Sequence, residues 1–136
     1  MPFTRIAVAA DLPSIAAFDP WKMVSPQTIA AGECFVAGTG DAVEAYAIRT
    51  HWFHGRPFVS MLFVRADSRR SGLGSALLAH LESICNRDRL WISTNSDNEP
   101  MQKLLQKCGY ENCGIIENLD PIPELIFSKP IVSKES

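Results

Sequence analysis

The residues best suited to chemistry stand together in Arg69-Arg70-Ser71-Gly72-Leu73-Gly74-Ser75-Ala76. An apolar run precedes this segment and a run with helical periodicity follows it, so the segment reads as a turn that opens a helix. The N–H groups of a helix's first turn have no carbonyl partner within the helix, and the helix dipole is positive at that end; both suit phosphate oxygens. Gly72 and Gly74 permit dihedrals closed to other residues and let an oxyanion approach the backbone. Arg65, Arg69 and Arg70 add three cations beside the turn. The chemistry indicated is recognition of a phosphate-bearing ligand, and Gly72→Val is expected to destroy that recognition while leaving the fold.

Two common phosphate motifs do not fit. A P-loop needs Lys and then Ser or Thr after its second glycine, whereas Gly74 is followed by Ser75 and Ala76. A dinucleotide fingerprint begun at Gly72 needs a third glycine where Leu77 stands. A protein that uses the same loop for ATP or NAD stays open as a competing reading. Metal chemistry is not indicated: His51 and His54, three residues apart on a strand, point to opposite faces, and His80 falls on a helix. Cys34, Cys85, Cys108 and Cys113 lack C-x-x-C spacing and read as small buried thiols.

The elements that must position the loop follow from periodicity and punctuation. Arg5 to Ala9 reads as a strand, and Asp11 before Leu12-Pro13-Ser14 as the cap of a helix reaching about Phe18. Ser25-Pro26 opens a second helix, closed by Gly32. Residues 33–37 and 42–53 form a predicted antiparallel hairpin about the turn Gly38-Thr39-Gly40-Asp41. After a turn at residues 54–57, Phe58 to Val64 is almost wholly apolar, as in a central strand covered on both faces. Leu77, Leu78, Leu81, Ile84 and Cys85 give residues 74–87 one buried helical stripe. Arg89 to Thr94 is the next strand, which makes a parallel crossover of the right-handed type. Met101, Leu104, Leu105 and Cys108 mark a further helix from about Asn98 to Cys108, stopped by Gly109. Two more strands flank the turn at residues 120–123. The class is α/β, with a mixed sheet of about six or seven strands and about four helices.

At 136 residues the chain is near the size of one domain, so residues 1–136 are expected to form a single unit. Apolar residues make up 46% and charged residues 21%, as in ordinary globular proteins. Thirteen basic against fifteen acidic residues leave a net charge of -2, which disfavours a general nucleic-acid binder. No stretch approaches a bilayer span and the N-terminal residues have no secretion pattern, so the expectation is a cytoplasmic protein without membrane attachment.

Arg69 to Gly74 is similar to the pyrophosphate loop of the GNAT superfamily of N-acetyltransferases: Arg or Gln, two variable residues, Gly, any residue, then Gly or Ala. Farther on, residues 98–110 resemble the family pattern N-x-x-A-x-x-L-Y-x-K-x-G-[FY]. Asn98, Leu104, Lys107, Gly109 and Tyr110 match it, whereas Met101 and Leu105 depart. The element order agrees over nearly the whole chain.

The resemblance implies a GNAT-type acyl-CoA N-acyltransferase fold that binds acetyl-CoA and transfers its acetyl group to a primary amine of a small molecule or peptide. Backbone groups of Phe63 and Val64 would pair with the pantetheine arm. Arg69, Arg70, Ser71, Gly72, Leu73, Gly74 and Ser75 would hold the pyrophosphate, and Asn98 would hydrogen-bond the pantetheine. No metal is implied, and a homodimer is one assembly the resemblance allows. Leu105 stands where the family often has a tyrosine that protonates the departing thiolate, with Cys108 one turn on as a substitute or as a packed thiol. Ser60 and Ser93 stand where relatives carry a glutamate base, and each could order a water or be an ordinary strand residue. Glu44 and Tyr46 are either substrate contacts or packing residues. Trp21-Lys22-Met23 and residues 120–124 fall where the fold builds an acceptor groove, although Trp21 could equally be core. Asp19, Glu117, Asp120 and Glu124 would suit a cationic amine, or are scattered surface acids. The alternative is a CoA-binding module without catalysis.

Overall fold

The computed structural model describes residues 2–132. The described residues form seven strands and four α-helices, in the order β1-α1-α2-β2-β3-β4-α3-β5-α4-β6-β7, and hydrogen bonding orders the strands β1-β2-β3-β4-β5-β7-β6. Two compact units divide the chain: residues up to Arg49 together with Met61–Ser83, and Thr50–Ser60 together with the residues from Ile84 on.

The first unit starts with β1 (Phe3–Ile6), which pairs antiparallel with β2 (Cys34–Gly38); β2 pairs antiparallel with β3 (Ala45–Phe53), Cys34 facing Ile48 and Ala37 facing Ala45. β1 lies two to three residues earlier than the sequence predicts, and Asp11 is the reason. Its carboxylate accepts from the Val8 N–H at 2.8 Å and from both terminal nitrogens of Arg5 at 2.7 and 3.0 Å. That pull folds Ala9–Asp11 into a 3-10 turn, and α1 is only Leu12–Ala16. The Arg5 hydrogen bonds hold the Asp11 carboxyl below the usual carboxylate range.

α2 (Pro26–Ala30) has the predicted punctuation: the Ser25 hydroxyl accepts from Thr28 N–H at 3.2 Å, Pro26 opens the first turn, and Gly32 takes φ +71° beyond the end. β2 is buried along its whole length. At Gly38 a Cβ would lie 2.0 Å from the Ala42 carbonyl oxygen and 2.7 Å from the Phe3 ring, so only glycine fits. The turn that follows holds the chain out of the sheet until Ala45, three residues later than predicted.

α3 (Leu73–Ser83) buries Leu73, Leu77, Leu78 and Leu81 and packs on β1 and β2. It stops before the predicted end. Ser83 Oγ donates to the His80 carbonyl at 2.6 Å, a local bond that competes with continuing the helix. Ile84 is 42% exposed, so the predicted stripe ends at Leu81. His80 is fixed from the other side, its Nδ1 lying 3.0 Å from Thr4 Oγ1.

The second unit contains the first part of β4 (Arg56–Val64), β5 (Arg89–Asn95), α4 (Glu99–Lys107), β6 (Glu111–Ile116) and β7 (Glu124–Pro130). β4 and β5 run parallel, with Phe58 facing Trp91 and Val59 facing Ile92. β7 pairs antiparallel with β5 over its full length and with β6 across a bulge between Asn112 and Gly114. Phe53 gathers Phe58 and Trp91 at ring distances of 5.1 and 5.7 Å. α4 begins where Asn98 caps it, accepting from Met101 N–H at 3.2 Å, and ends before Gly109 at φ +91°.

Three expectations need correction. β4 is not covered on both faces: Val59 and Leu62 are buried, Ser60 is exposed, and Phe58, Met61, Phe63 and Val64 are half-buried. On α4 only Leu105 is buried, while Met101, Leu104 and Cys108 are half-buried, because a helix on one side of a sheet covers a narrow stripe. Of the cysteines only Cys34 is buried; Cys85 and Cys108 are intermediate and Cys113 is exposed on β6.

Leu78 is fully buried at the centre of the α3 stripe. Leu78→Ala is therefore expected to lower unfolding stability by about 2–5 kcal/mol, read as a reduced urea midpoint at unchanged slope.

Candidate functional site

The loop between β4 and α3 is fastened at its start. The Arg65 N–H donates to the Glu44 carbonyl at 2.8 Å as the chain leaves β4. Ala66–Ser68 then forms a 3-10 turn closed by Ser68 N–H on the Arg65 carbonyl at 2.9 Å. The Ser71 hydroxyl donates back to the Ser68 carbonyl. Between them and α3 the backbone enters the left-handed region twice, at Arg70 (φ +66°) and Gly72 (φ +82°). Ala76 N–H donates to the Gly72 carbonyl at 3.0 Å, and the amides of Leu73 and Gly74, in the first turn of α3, precede the helical ladder.

The two glycines differ. Gly74 is buried in the first turn of α3, whereas a Cβ at Gly72 would meet nothing within 4 Å. Gly72 therefore faces open space, where an oxyanion can reach the turn. Its positive φ also revises the expected effect of Gly72→Val: a β-branched residue there strains the backbone in addition to filling the space.

The three arginines are not equivalent. Arg65 Nε lies 2.6 Å from Asp67 Oδ1, and its Nη2 3.5 Å from Glu44 Oε2. Arg69 folds back over β4, donating from Nε to the Val64 carbonyl at 3.2 Å with its guanidinium 5.4 Å from the Phe63 ring centroid. Arg70 is exposed and, among the described residues, faces no carboxylate. Of the three cations counted in the sequence, only Arg65 is paired with carboxylates; Arg69 and Arg70 are exposed and keep their charge, Arg69 with its Nε already engaged and Arg70 with its whole guanidinium turned to solvent.

Glu44 is a packing residue, 9% exposed. Its Oε1 accepts from the Thr39 N–H at 2.7 Å and the Thr39 hydroxyl at 2.6 Å, and its Oε2 accepts from the Ser68 hydroxyl at 2.5 Å. Those bonds, Ser68 foremost, hold its carboxyl down at about 2. Ser68 and Thr39 are the residues that sequence reasoning missed. A signal was present, since an acid beside the apolar run Ala45-Tyr46-Ala47-Ile48 needs partners.

Tyr46 is also inside. It is fully buried and its hydroxyl donates to Asp19 Oδ1 at 2.8 Å; burial above all pushes its pKa far up. Asp19 Oδ2 accepts from the Val24 N–H at 3.2 Å, so this acid organises the α1–α2 connection and is not open to an amine. Burial likewise pushes the Cys34 thiol up to about 12. Trp21 is 59% exposed, which rules out a core position, and meets the Phe63 ring edge-on at 5.2 Å. Lys22, at φ +50°, and Met23 are exposed beside it.

In the second unit Ser60 is exposed on β4, and Ser93 is half-buried on β5 opposite Ile126. Cys108 caps the C-terminus of α4, Leu105 is fully buried, and Asn98 spends its side-chain oxygen on the α4 cap. Glu117 and Asp120 are exposed and Glu124 is half-buried. His51 and His54 are exposed, and among the described residues no group of three or more His, Cys, Asp or Glu side chains is arranged to hold a metal. No described helix is long and apolar enough to cross a membrane.

The family model for the acetyltransferase (GNAT) family matches residues 7–110. The chain belongs to the GNAT acetyltransferase family. A GNAT acetyltransferase from Bacillus cereus has a similar structure, with a TM-score of 0.90 and 28% identity over 98% of this chain and 99% of that one. The same fold appears in the ribosomal-protein-S18-alanine N-acetyltransferase of Escherichia coli, at TM-score 0.79 and 21% identity over 100% and 99% of the two chains. It appears again in Arabidopsis thaliana Naa50, solved with the bisubstrate analogue CoA-Ac-MVNAL, at TM-score 0.73 and 22% identity over 94% and 97%. No curated protein matches the sequence significantly. The seven-stranded mixed sheet and four helices of this GNAT protein are those of its structural neighbours.

The lowered pKa of Glu44 gives a signed pH dependence. Its folded value near 2 lies below the ordinary 4.5, so its stabilisation is complete above 4.5 and is lost as pH falls toward 2. Wild type is expected to exceed Glu44→Gln in thermal midpoint near neutral pH, and the gap is expected to close over that acid range in matched melting curves.

Proposed function

We propose that residues 1–136 form one GNAT domain, a cytoplasmic N-acetyltransferase that moves an acetyl group from acetyl-CoA to a primary amine of a small molecule or peptide. The family span of residues 7–110 supports the single domain, since it passes through both compact units. The observation that carries the ligand assignment is the turn at Gly72: left-handed backbone, open space where a side chain would be, unladdered amides at the start of α3, and the unpaired charge of Arg70 beside it. Such a turn suits a pyrophosphate.

The roles follow from the contacts. Backbone amides from Arg69 to Ser75 would hold the pyrophosphate, with Arg70 supplying charge. The Arg69 side chain instead steadies the end of β4 through the Val64 carbonyl. A carbonyl has two lone pairs, so Val64 can still pair with a pantetheine amide while Arg69 keeps its bond. Asn98 would offer pantetheine its amide NH2 group and the second lone pair of the oxygen that caps α4.

Acetyl-CoA, when bound, supplies an activated thioester. The amine nitrogen forms a bond to the acetyl carbonyl carbon, the carbon–sulfur bond breaks, and the electron pair leaves on the CoA sulfur. A backbone N–H of β4 would steady the charge on the carbonyl oxygen. Leu105, apolar and buried, has no proton to give, so CoA departs as a thiolate, which is tolerable near neutral pH. The proton lost by the amine passes to solvent through a water ordered by Ser60 or Ser93, with exposed Ser60 the better reached. Trp21 and Met23 would offer the acceptor an apolar wall. Leu105 also favours a second reading, a CoA-binding module without turnover.

Acetyl-CoA at about 100 times its Kd is expected to add about 2.7 kcal/mol of stability in a thermal-shift titration, with ATP and NAD adding none. Stabilisation by ATP alone would sink the assignment. Gly72→Asn keeps a residue tolerant of left-handed backbone while placing a side chain in the open space, and is expected to weaken acetyl-CoA binding at least tenfold. Thiol release across polyamines, amino acids, aminoglycosides and peptides separates the two readings: turnover supports the enzyme, whereas a blank panel with binding intact supports the module.

A further inference from the structure

Glu44 ties together three stretches of chain that sequence separates: the β2–β3 turn through Thr39, the start of β3, and the foot of the phosphate loop through Arg65 and Ser68. The two oxygens divide this work. Oε1 is spent on Thr39, while Oε2 takes the Ser68 hydroxyl and faces Arg65. Ser68 in turn receives the Ser71 hydroxyl on its carbonyl, and Ser71 lies between the two left-handed residues, Arg70 and Gly72. A continuous hydrogen-bonded path thus runs from a buried carboxylate to the turn that opens α3.

We propose that Glu44 is a positioning residue for the phosphate loop, clamping Ser68 so that the Ser71-Gly72 turn and the first amides of α3 are aimed before any ligand arrives. This rests on the reading of the loop as the CoA pyrophosphate site. The physical ground is preorganisation: a loop held in its binding conformation loses less freedom on binding, so its affinity is higher for the same contacts. The clamp suits the task because a carboxylate that accepts from a hydroxyl makes a stronger bond than a neutral acceptor does. Glu44 touches no substrate in this scheme. It acts through Ser68, and its effect belongs to ligand affinity rather than to the chemical step.

The two sides of the carboxylate provide the test. Ser68→Ala removes the bond toward the loop, and Thr39→Ala removes a comparable bond toward the β2–β3 turn while the Thr39 N–H keeps its own. Both are expected to lower the thermal midpoint. Only Ser68→Ala and Glu44→Gln are expected to raise the Kd for acetyl-CoA, by about fivefold or more given the usual strength of a hydrogen bond to a charged group, with Ser68→Thr restoring it. Calorimetric titration with acetyl-CoA gives Kd, and steady-state assays with any accepted amine should show the same rise in KM for acetyl-CoA at unchanged kcat. Equal Kd changes in Ser68→Ala and Thr39→Ala, or no change in Ser68→Ala, would overturn the proposal. Should Glu44→Gln fail to fold, the serine and threonine pair still decides it. Wild type that binds no acetyl-CoA would remove the underlying reading and this proposal with it, an outcome distinct from wild-type binding with indifferent variants.

Discussion

The chain must reverse between β4 and α3, and it does so through two residues on the unfavourable side of φ. Gly72 reaches +82° without penalty, but Arg70 at +66° is a non-glycine residue in a region that costs L-residues about 1–2 kcal/mol. That cost is met by local bonds: Ser71 on Ser68, Ser68 on Glu44, Arg69 on Val64. Any ligand held by the amides of α3 depends on this reversal being settled in advance. The elements before it, from the β2–β3 turn to the end of β4, supply the groups that settle it.

Electrostatics at the loop is a matter of bookkeeping by geometry. Counting residues finds Arg65, Arg69 and Arg70 beside the turn, yet one of these charges is paired, with Asp67 and Glu44, and a second is held in place over an aromatic ring and a strand carbonyl. A slightly acidic chain can therefore offer a local positive site with two arginines that face no carboxylate among the described residues, because the dipole and amides of α3 act with them. Arg69 shows why one residue in a family pattern can carry a structural duty: its planar group caps Phe63 and bonds a carbonyl, which a lysine would do less well.

Much of this was legible in the residues. Ser25-Pro26, Gly32, Asn98 and Gly109 mark helix ends by local rules that need no partner from elsewhere, and those ends fall where expected. The Arg69–Gly74 spacing announced the loop for the same reason. What stayed hidden were side chains whose partners are remote or whose local choice was ambiguous. Asp11 read as the cap of a helix but gathers Arg5 and Val8 into a tighter turn, which shortens β1 and α1. For Glu44 the alternating strand leaves substrate contact and packing both open; its commitment depends on Ser68, which only the folded chain brings to it. Asp19 read as a surface acid for the same reason, and Tyr46 claimed it. Exposure of Trp21 was beyond reach, since aromatic composition says nothing about which ring closes the edge of a cluster.

Gly38 sets the tolerance of this arrangement to change. With the Ala42 oxygen and the Phe3 ring against its only open direction, it admits no other side chain. The next residue is Thr39, which holds one end of the Glu44 carboxylate. A length change in the β2–β3 turn would shift Thr39 against Glu44, and with it the carboxylate that holds Ser68 at the foot of the loop before α3. A surface turn thus has its geometry fixed at both ends, by the glycine that enters it and by the carboxylate that closes it.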